Sequence, residues 1–140
     1  MKDPDIIMVH PINITPIWSQ VEALLAPALL IAMTHSIDDV RKSLMAGHSQ
    51  LWIQWREKVE AVVVTEFKAY PQGLWFNFWL AGAIKGADIW WTKMFEILVD
   101  FATLHKCKGI EDCGRAGWDW YCPNEVKRIG ILRRMPLKEG

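Results

Sequence analysis

The side chains best equipped for chemistry gather in the last third of the chain. His105, Cys107, Cys113 and Cys122 place four nitrogen and sulfur donors within eighteen residues, the donor types that tetrahedral zinc prefers. A structural zinc site ordinarily joins two cysteines in a Cys-x2–4-Cys knuckle, whereas Cys107 and Cys113 have five residues between them, so no metal is assigned. His105 and Cys107 also have the residue types of a thiol nucleophile and its base, but positions two apart at a helix end do not face each other. Gly114-Arg115-Ala116-Gly117-Trp118 presents a guanidinium whose planar fork matches carboxylates and phosphates. The same two glycines around a Trp equally describe a tight turn pinned by the ring. His10, His35 and His48 are scattered near turns. The sequence contains no P-loop, dinucleotide fingerprint, nucleophile elbow or paired-carboxylate signature.

Composition bounds the classes open to this chain. At 140 residues it has room for one domain, residues 1–140, and too little for two. With 51% hydrophobic and 23% charged residues, it can bury enough apolar surface to fold, which excludes disorder as its main state. Sixteen basic and sixteen acidic residues cancel, so no strong field for nucleic acid or an anionic membrane is expected. Lys127, Arg128, Arg133, Arg134 and Lys138 form a basic stretch, but such side chains supply charge without base readout. The longest apolar run, Ala23 to Met33, has eleven residues and contains Pro27, whereas a spanning helix needs about 20. Met1 to Asp5 lacks a basic segment leading into an apolar one, so no signal peptide is expected. Three cysteines without a secretion signal fit a reducing compartment, and a cytoplasmic location is expected. Nine residues are Trp. Such side chains serve either as bulky core or as anchors of a protein interface.

The elements that must position these residues follow from periodicity and punctuation. Residues 5–14 read as extended, with Ile6 to Val9 as a short apolar run closed by Pro11 and Pro16. Ile17, Val21, Leu24, Leu25 and Leu29 recur at helical spacing, and Pro27 is expected to kink or divide that helix because it removes a backbone donor. Ser36 and Asp39 form a capping-box-like pair opening a second helix that ends at Gly47. The period then changes to two: Leu51 to Arg56, Val59 to Ala69 and Leu74 to Ala81 read as three antiparallel strands, with Tyr70-Pro71-Gln72-Gly73 as a turn. The third strand is apolar on both faces except for Asn77, which implies a position inside the sheet. Asp88 is expected to cap a helix from Ile89 to about Lys106. A short extended segment at 108–112, a turn or short helix at 115–121 and a last strand at 127–135 complete the order. Such an order is α/β or α+β, a three-layer domain with a mixed, mostly antiparallel sheet flanked by helices.

This order is similar to that of the acetyl-CoA-dependent N-acetyltransferase superfamily (the GNAT fold), in which a meander leads to a central strand, a phosphate-cradling loop and a long helix. The C-terminal half resembles small acetyltransferase-like proteins of tailed bacteriophages and prophages. Its carriers are the helix from Trp90 to His105, Cys107-Lys108-Gly109-Ile110-Glu111, and Gly114-Arg115-Ala116-Gly117-Trp118. The resemblance covers roughly residues 50–120; residues 1–49 match in element order alone.

In the superfamily the loop after the central strand points backbone N–H groups at the diphosphate of CoA, with the helix N-terminus adding partial positive charge. On this chain the resemblance places Gly82, Lys85, Gly86 and Ala87 there as cofactor-binding residues. The superfamily's Gly-x-Gly/Ala spacing is absent from Ala81-Gly82-Ala83-Ile84-Lys85-Gly86-Ala87-Asp88, and a carboxylate cap at Asp88 would compete with a phosphate. A plain strand-to-helix connection is the other reading. The resemblance further implies Tyr121 as the acid that protonates the leaving thiolate and Glu66 as the group that guides a deprotonating water; each equally suits an ordinary strand or edge position. Two functions are therefore expected as alternatives. One is an N-acetyltransferase using acetyl-CoA and an amine acceptor. The other is a non-catalytic phage virion or assembly protein that binds a structural protein, or further copies of itself, through Trp-rich surface.

Overall fold

The computed structural model describes residues 3–32, 34–87 and 90–112, together with 135 and 137. Strand β1 (Asp5–Val9) leads through two 3-10 turns (Pro11–Asn13 and Thr15–Ile17) into helix α1 (Trp18–Ala32) and helix α2 (Ile37–Met45). Strands β2 (Ser49–Trp55), β3 (Val59–Tyr70) and β4 (Gly73–Ala83) follow, then helix α3 (Trp91–Leu104) and strand β5 (Gly109–Asp112). The sheet order among these is β1-β2-β3-β4-β5. The first three pairings are antiparallel, and β4–β5 is parallel, from Trp75↔Gly109 to Phe78↔Asp112. This is the mixed α+β sheet flanked by helices that the sequence pattern implies. Among the described residues no helix is long and apolar enough to cross a membrane.

Alternation along the strands builds a core on each side of the sheet. Leu51, Ile53, Val62, Val64 and Leu80 face α1 and α2, where Val21, Leu25, Val40 and Leu44 close over them. Trp52, Val63 and Phe76 face α3, which contributes Met94, Leu98 and Ala102 at four-residue spacing. Strand β4 lies between β3 and β5 and supplies both cores, so its apolar character on two faces is a burial requirement. Trp18 and Trp52 are buried, and Trp55, Trp75, Trp79, Trp90 and Trp91 are half-buried. No described Trp is among the exposed large apolar side chains, which include Met8, Ile12, Leu30 and Leu104. Trp118 and Trp120 lie outside the described residues.

Several local expectations change. Residues 11–13 form a 3-10 turn in place of extended chain, because Pro11 sits at its start and the His10 ring accepts from the Ile12 N–H at 3.3 Å. Helix α1 runs undivided through Pro27. The missing donor there costs about 3 kcal/mol, which is offset by the full burial of Val21 and Leu25. The cap of α3 is Trp90, two positions beyond Asp88, and it makes no side-chain capping bond. Asp88 itself, the segment 115–121 and most of the strand expected at 127–135 lie outside the described residues.

The Ser36–Asp39 capping box is present in both directions. Asp39 N–H donates to Ser36 Oγ at 3.1 Å, and Ser36 N–H donates to Asp39 Oδ2 at 2.8 Å. The Ser36 backbone N–H, followed by its hydroxyl, holds the exposed Asp39 carboxyl below its usual range. Its contribution to stability is therefore complete above the unfolded carboxylate pKa and lost as pH falls through the lower, folded one. Ser36→Ala is expected to cost about 1 kcal/mol, or about 3 °C in thermal midpoint at neutral pH. Thermal melts from pH 7 down to pH 2 should show a shallower acid loss for Asp39→Asn than for the parent chain.

Gly82 carries a separate packing constraint. A Cβ built there would lie 2.0 Å from the Leu24 carbonyl oxygen of α1, so helix and strand meet backbone to backbone. Gly82→Ala is expected to destabilise the fold by about 1–3 kcal/mol, read as a lower urea midpoint with an unchanged slope.

Candidate functional site

Strand β4 does not keep one register along its length. Val64 pairs with Leu80 but Thr65 pairs with Phe78, which leaves Trp79 as the extra residue of a bulge. Trp79 and Leu80 consequently both face the α1–α2 core. Bulges bend the strand that carries them and end pairing on one side. Among the described residues, β5 pairs with β4 only from Trp75 to Phe78, and residues 80–83 pair with β3 alone. The bulge thus divides β4 into a half sealed on both edges and a half whose β5-side edge has no described strand.

The α1–α2 connection closes directly on the bulge. The His35 ring meets the Trp79 indole edge-on, with centroids 4.8 Å apart at 74°, and His35 Nδ1 lies 2.9 Å from Thr34 Oγ1. Two residues along β4 on the other side of the bulge, Asn77 is buried directly opposite Glu66 of β3. Asn77 Nδ2 donates to Glu66 Oε1 at 2.9 Å, and Lys68 Nζ lies 3.9 Å from the same oxygen. Glu66 is half-buried, with a side chain 26% exposed. It is held by a fixed amide yet reachable by water, the arrangement a proton-accepting carboxylate needs.

At the far end of β4 the chain turns before α3. Ala87 N–H donates to the Ile84 carbonyl at 3.3 Å, and Gly86 sits at φ 78° with open space around its Cβ position. Lys85 and Gly86 are exposed and Ala87 is half-buried. Gly86 is needed here because the left-handed region costs a side-chain-bearing residue roughly 1–2 kcal/mol. Helix α3 begins shortly afterwards, uncapped by a side chain. A surface turn bearing a cation, followed by a helix N-terminus, is an anion-compatible arrangement.

The residues named from the sequence therefore divide. Lys85, Gly86 and Ala87 share one turn. Gly82 is a strand residue whose bare face is occupied by α1. Glu66 lies midway along the β3–β4 ladder, five register positions from Ala61↔Ala83, or roughly 17 Å at strand spacing. Tyr121, Arg115, Cys113 and Cys122 lie outside the described residues. His105 Nδ1 lies 2.9 Å from the Phe101 carbonyl, and its ring packs at a tilt against Phe101 and Phe67. Burial pushes the Cys107 thiol up, away from nucleophilic use. Sequence reasoning missed Asn77 as the partner of Glu66, although a lone amide in an apolar strand was the available signal.

Neither a family model nor a curated protein sequence matches this chain. Solved structures do. An aminoglycoside acetyltransferase from an uncultured soil metagenomic sample, in complex with sisomicin, is similar over 96% of this chain and 97% of its own, with a TM-score of 0.73 at 11% identity. An aminoglycoside N-acetyltransferase in complex with CoA matches 94% of each chain, with a TM-score of 0.65 at 12% identity. A Clostridium acetobutylicum protein described as a predicted acetyltransferase, with acetyl-CoA, covers 91% of this chain and 96% of its own, with a TM-score of 0.63 at 12% identity. At these identities the likeness is one of fold. The fold is that of the N-acetyltransferases.

Because Lys85 is exposed on a surface turn, Lys85→Ala is expected to shift stability by no more than about 0.5 kcal/mol. Gly86→Val forces a β-branched side chain into the left-handed region and is expected to cost more than that. Parallel chemical denaturation of the two variants checks the difference.

Proposed function

We propose that this chain is an acetyl-CoA-dependent N-acetyltransferase that works along strand β4. The observation that carries the reading is the bulge at Trp79, beyond which β4 has no described partner on its β5 side. A strand edge on which pairing stops at such a bulge can offer N–H and C=O groups to an extended chain bearing amides, and the pantetheine arm of CoA is such a chain. Two features of the turn fit the cofactor's other end: the open space over Gly86 and the exposed ammonium of Lys85. In this reading Lys85 meets the diphosphate as a point charge, and Gly86 and Ala87 allow the close approach of backbone to phosphate. Gly82 supports the same strand from behind by admitting α1.

Acetyl-CoA supplies an activated carbonyl and a thiolate leaving group. The chain's own residues handle the protons. Glu66, oriented by Asn77, accepts the proton released by the attacking amine, directly or through one water. Tyr121 is assigned the opposite transfer, giving its hydroxyl proton to the departing sulfur. Trp79 and His35 border the bulge on the α1–α2 side and shape the approach of the acceptor. A phage or prophage origin belongs to this reading as well, supported by the sequence resemblance from Trp90 to Trp118, of which Gly114–Trp118 is the sharpest part.

Calorimetric titration with acetyl-CoA, sensitive to a dissociation constant near 1 mM, or about −4 kcal/mol, tests the proposal. Saturable 1:1 binding is expected, weakened about fivefold or more in Lys85→Ala. Absence of both heat and thermal stabilisation would remove the cofactor and the enzyme with it. Glu66→Gln should bind acetyl-CoA as the parent does while losing about 100-fold in acetyl transfer, within the range for a lost general base.

A further inference from the structure

The connection from β4 to α3 is held at one end by the backbone carbonyl of Glu60 and at the other by the buried Gln54 side chain, which the Glu60 carboxylate orients. Where β4 finishes, Ile84 N–H donates to the Glu60 carbonyl at 2.9 Å. Where α3 begins, Trp90 N–H donates to Gln54 Oε1 at 2.9 Å. The two anchors are tied together, since Gln54 Nε2 donates to Glu60 Oε1 at 3.1 Å. Gln54 is 1% exposed and Glu60 7%. A second bulge sets this up: Trp55 pairs with Val59 and Gln54 with Ala61, leaving Glu60 as the extra residue. Arg56 Nη2 lies 3.4 Å from Glu60 Oε2 and balances its charge.

Such a group is a poor way to gain stability. An amide and a carboxylate lose their hydration on burial, and apolar residues of similar volume serve a core equally well or better. What the pair does provide is geometry. The Glu60 carboxylate holds the Gln54 amide where it receives the Trp90 N–H, and the Glu60 backbone carbonyl receives the Ile84 N–H, so one short segment of β3 sets where Ile84 and Trp90 stand relative to each other. Lys85, Gly86 and Ala87, which follow the anchored Ile84, then have less freedom to lose on binding, which reduces the entropic cost of association.

We infer that Gln54 and Glu60 are positioning residues that preorganise the β4–α3 turn for an anionic ligand, the diphosphate of a CoA thioester. The ligand named here rests on the acetyltransferase reading above; the clamp itself rests on the hydrogen bonds.

The test is an exchange of the two side chains. Gln54→Leu, Gln54→Glu and Glu60→Gln, together with the double exchange Gln54→Glu with Glu60→Gln, are titrated with acetyl-CoA, and amide hydrogen exchange is followed at Ile84 and Trp90. Each single change is expected to weaken acetyl-CoA at least about tenfold, equivalent to one buried hydrogen bond, and Trp90 should exchange faster in Gln54→Leu. In the double exchange the carboxylate at 54 can accept from both the Trp90 N–H and the new amide at 60. Affinity and Trp90 protection should therefore return to within about threefold of the parent. A purely structural pair would change melting temperature while leaving affinity untouched. Equal affinity in parent and single variants overturns the inference while the acetyltransferase reading stands, as does a double exchange that melts like the parent but binds no better than the singles. A parent chain that does not bind acetyl-CoA overturns that reading and the ligand assigned here. Unchanged Trp90 protection in Gln54→Leu then overturns the clamp as well. Should Gln54→Leu fail to fold, the isosteric Glu60→Gln carries the comparison.

Discussion

The β3–β4 ladder is the constraint on which the rest of this protein depends. It runs from Ala61↔Ala83 to Tyr70↔Gly73, and each side of it is buried against a different layer of helix. A strand that feeds two cores cannot slip by one residue without exchanging its two faces, so register is strongly specified along most of its length. The bulge at Trp79 is tolerated because it rotates the strand where the α1–α2 core accepts two successive side chains, Trp79 and Leu80. The end of β5 pairing at Phe78 among the described residues coincides with this filling of the core.

Helix α1 enforces the same geometry from outside. Its backbone reaches the sheet at Gly82, with Leu24 presenting a carbonyl where any side chain would stand. That contact lies one turn of chain before Lys85, so packing and the proposed ligand site share the end of β4 without sharing residues. Glycine at 82 answers a steric demand from the fold; glycine at 86 answers a backbone demand at φ 78° and leaves open surface. Two glycines four positions apart thus have unrelated causes.

Polar groups inside the protein follow a similar division. Thr65 Oγ1 donates to Gln50 Oε1 at 2.8 Å and accepts from Trp52 Nε1 at 2.9 Å, which satisfies the indole within the α3-side core. Asn77 and Glu66 satisfy each other on the opposite face and leave the carboxylate partly in contact with solvent. Gln54 and Glu60 join elements distant in sequence, and through them the β2–β3 bulge communicates with the start of α3. With formal net charge zero, such local arrangements, and not a global field, are what the chain has for steering an anion.

Periodicity alone was enough for the fold class, the meander, both helical layers and the Ser36–Asp39 cap, because these depend on residues within one or two turns of each other. The interior position of β4 was legible from its apolar character on both faces, and Asn77 stood out there as the single amide. Where the sequence misled, a distant partner decided: α1 packing kept a helix continuous through Pro27, and the start of α3 moved to Trp90, where the Gln54 side chain receives its N–H. Gly82 had the right residue type for a phosphate loop, yet its environment is set by Leu24, fifty-eight positions earlier in the chain. Residue types and spacing by themselves determined which local structures form and which faces seek burial. Only the tertiary structure decided which residues stand opposite one another, because bulges, backbone contacts and buried hydrogen bonds depend on pairing distant segments, and pairing leaves no periodic trace in either partner.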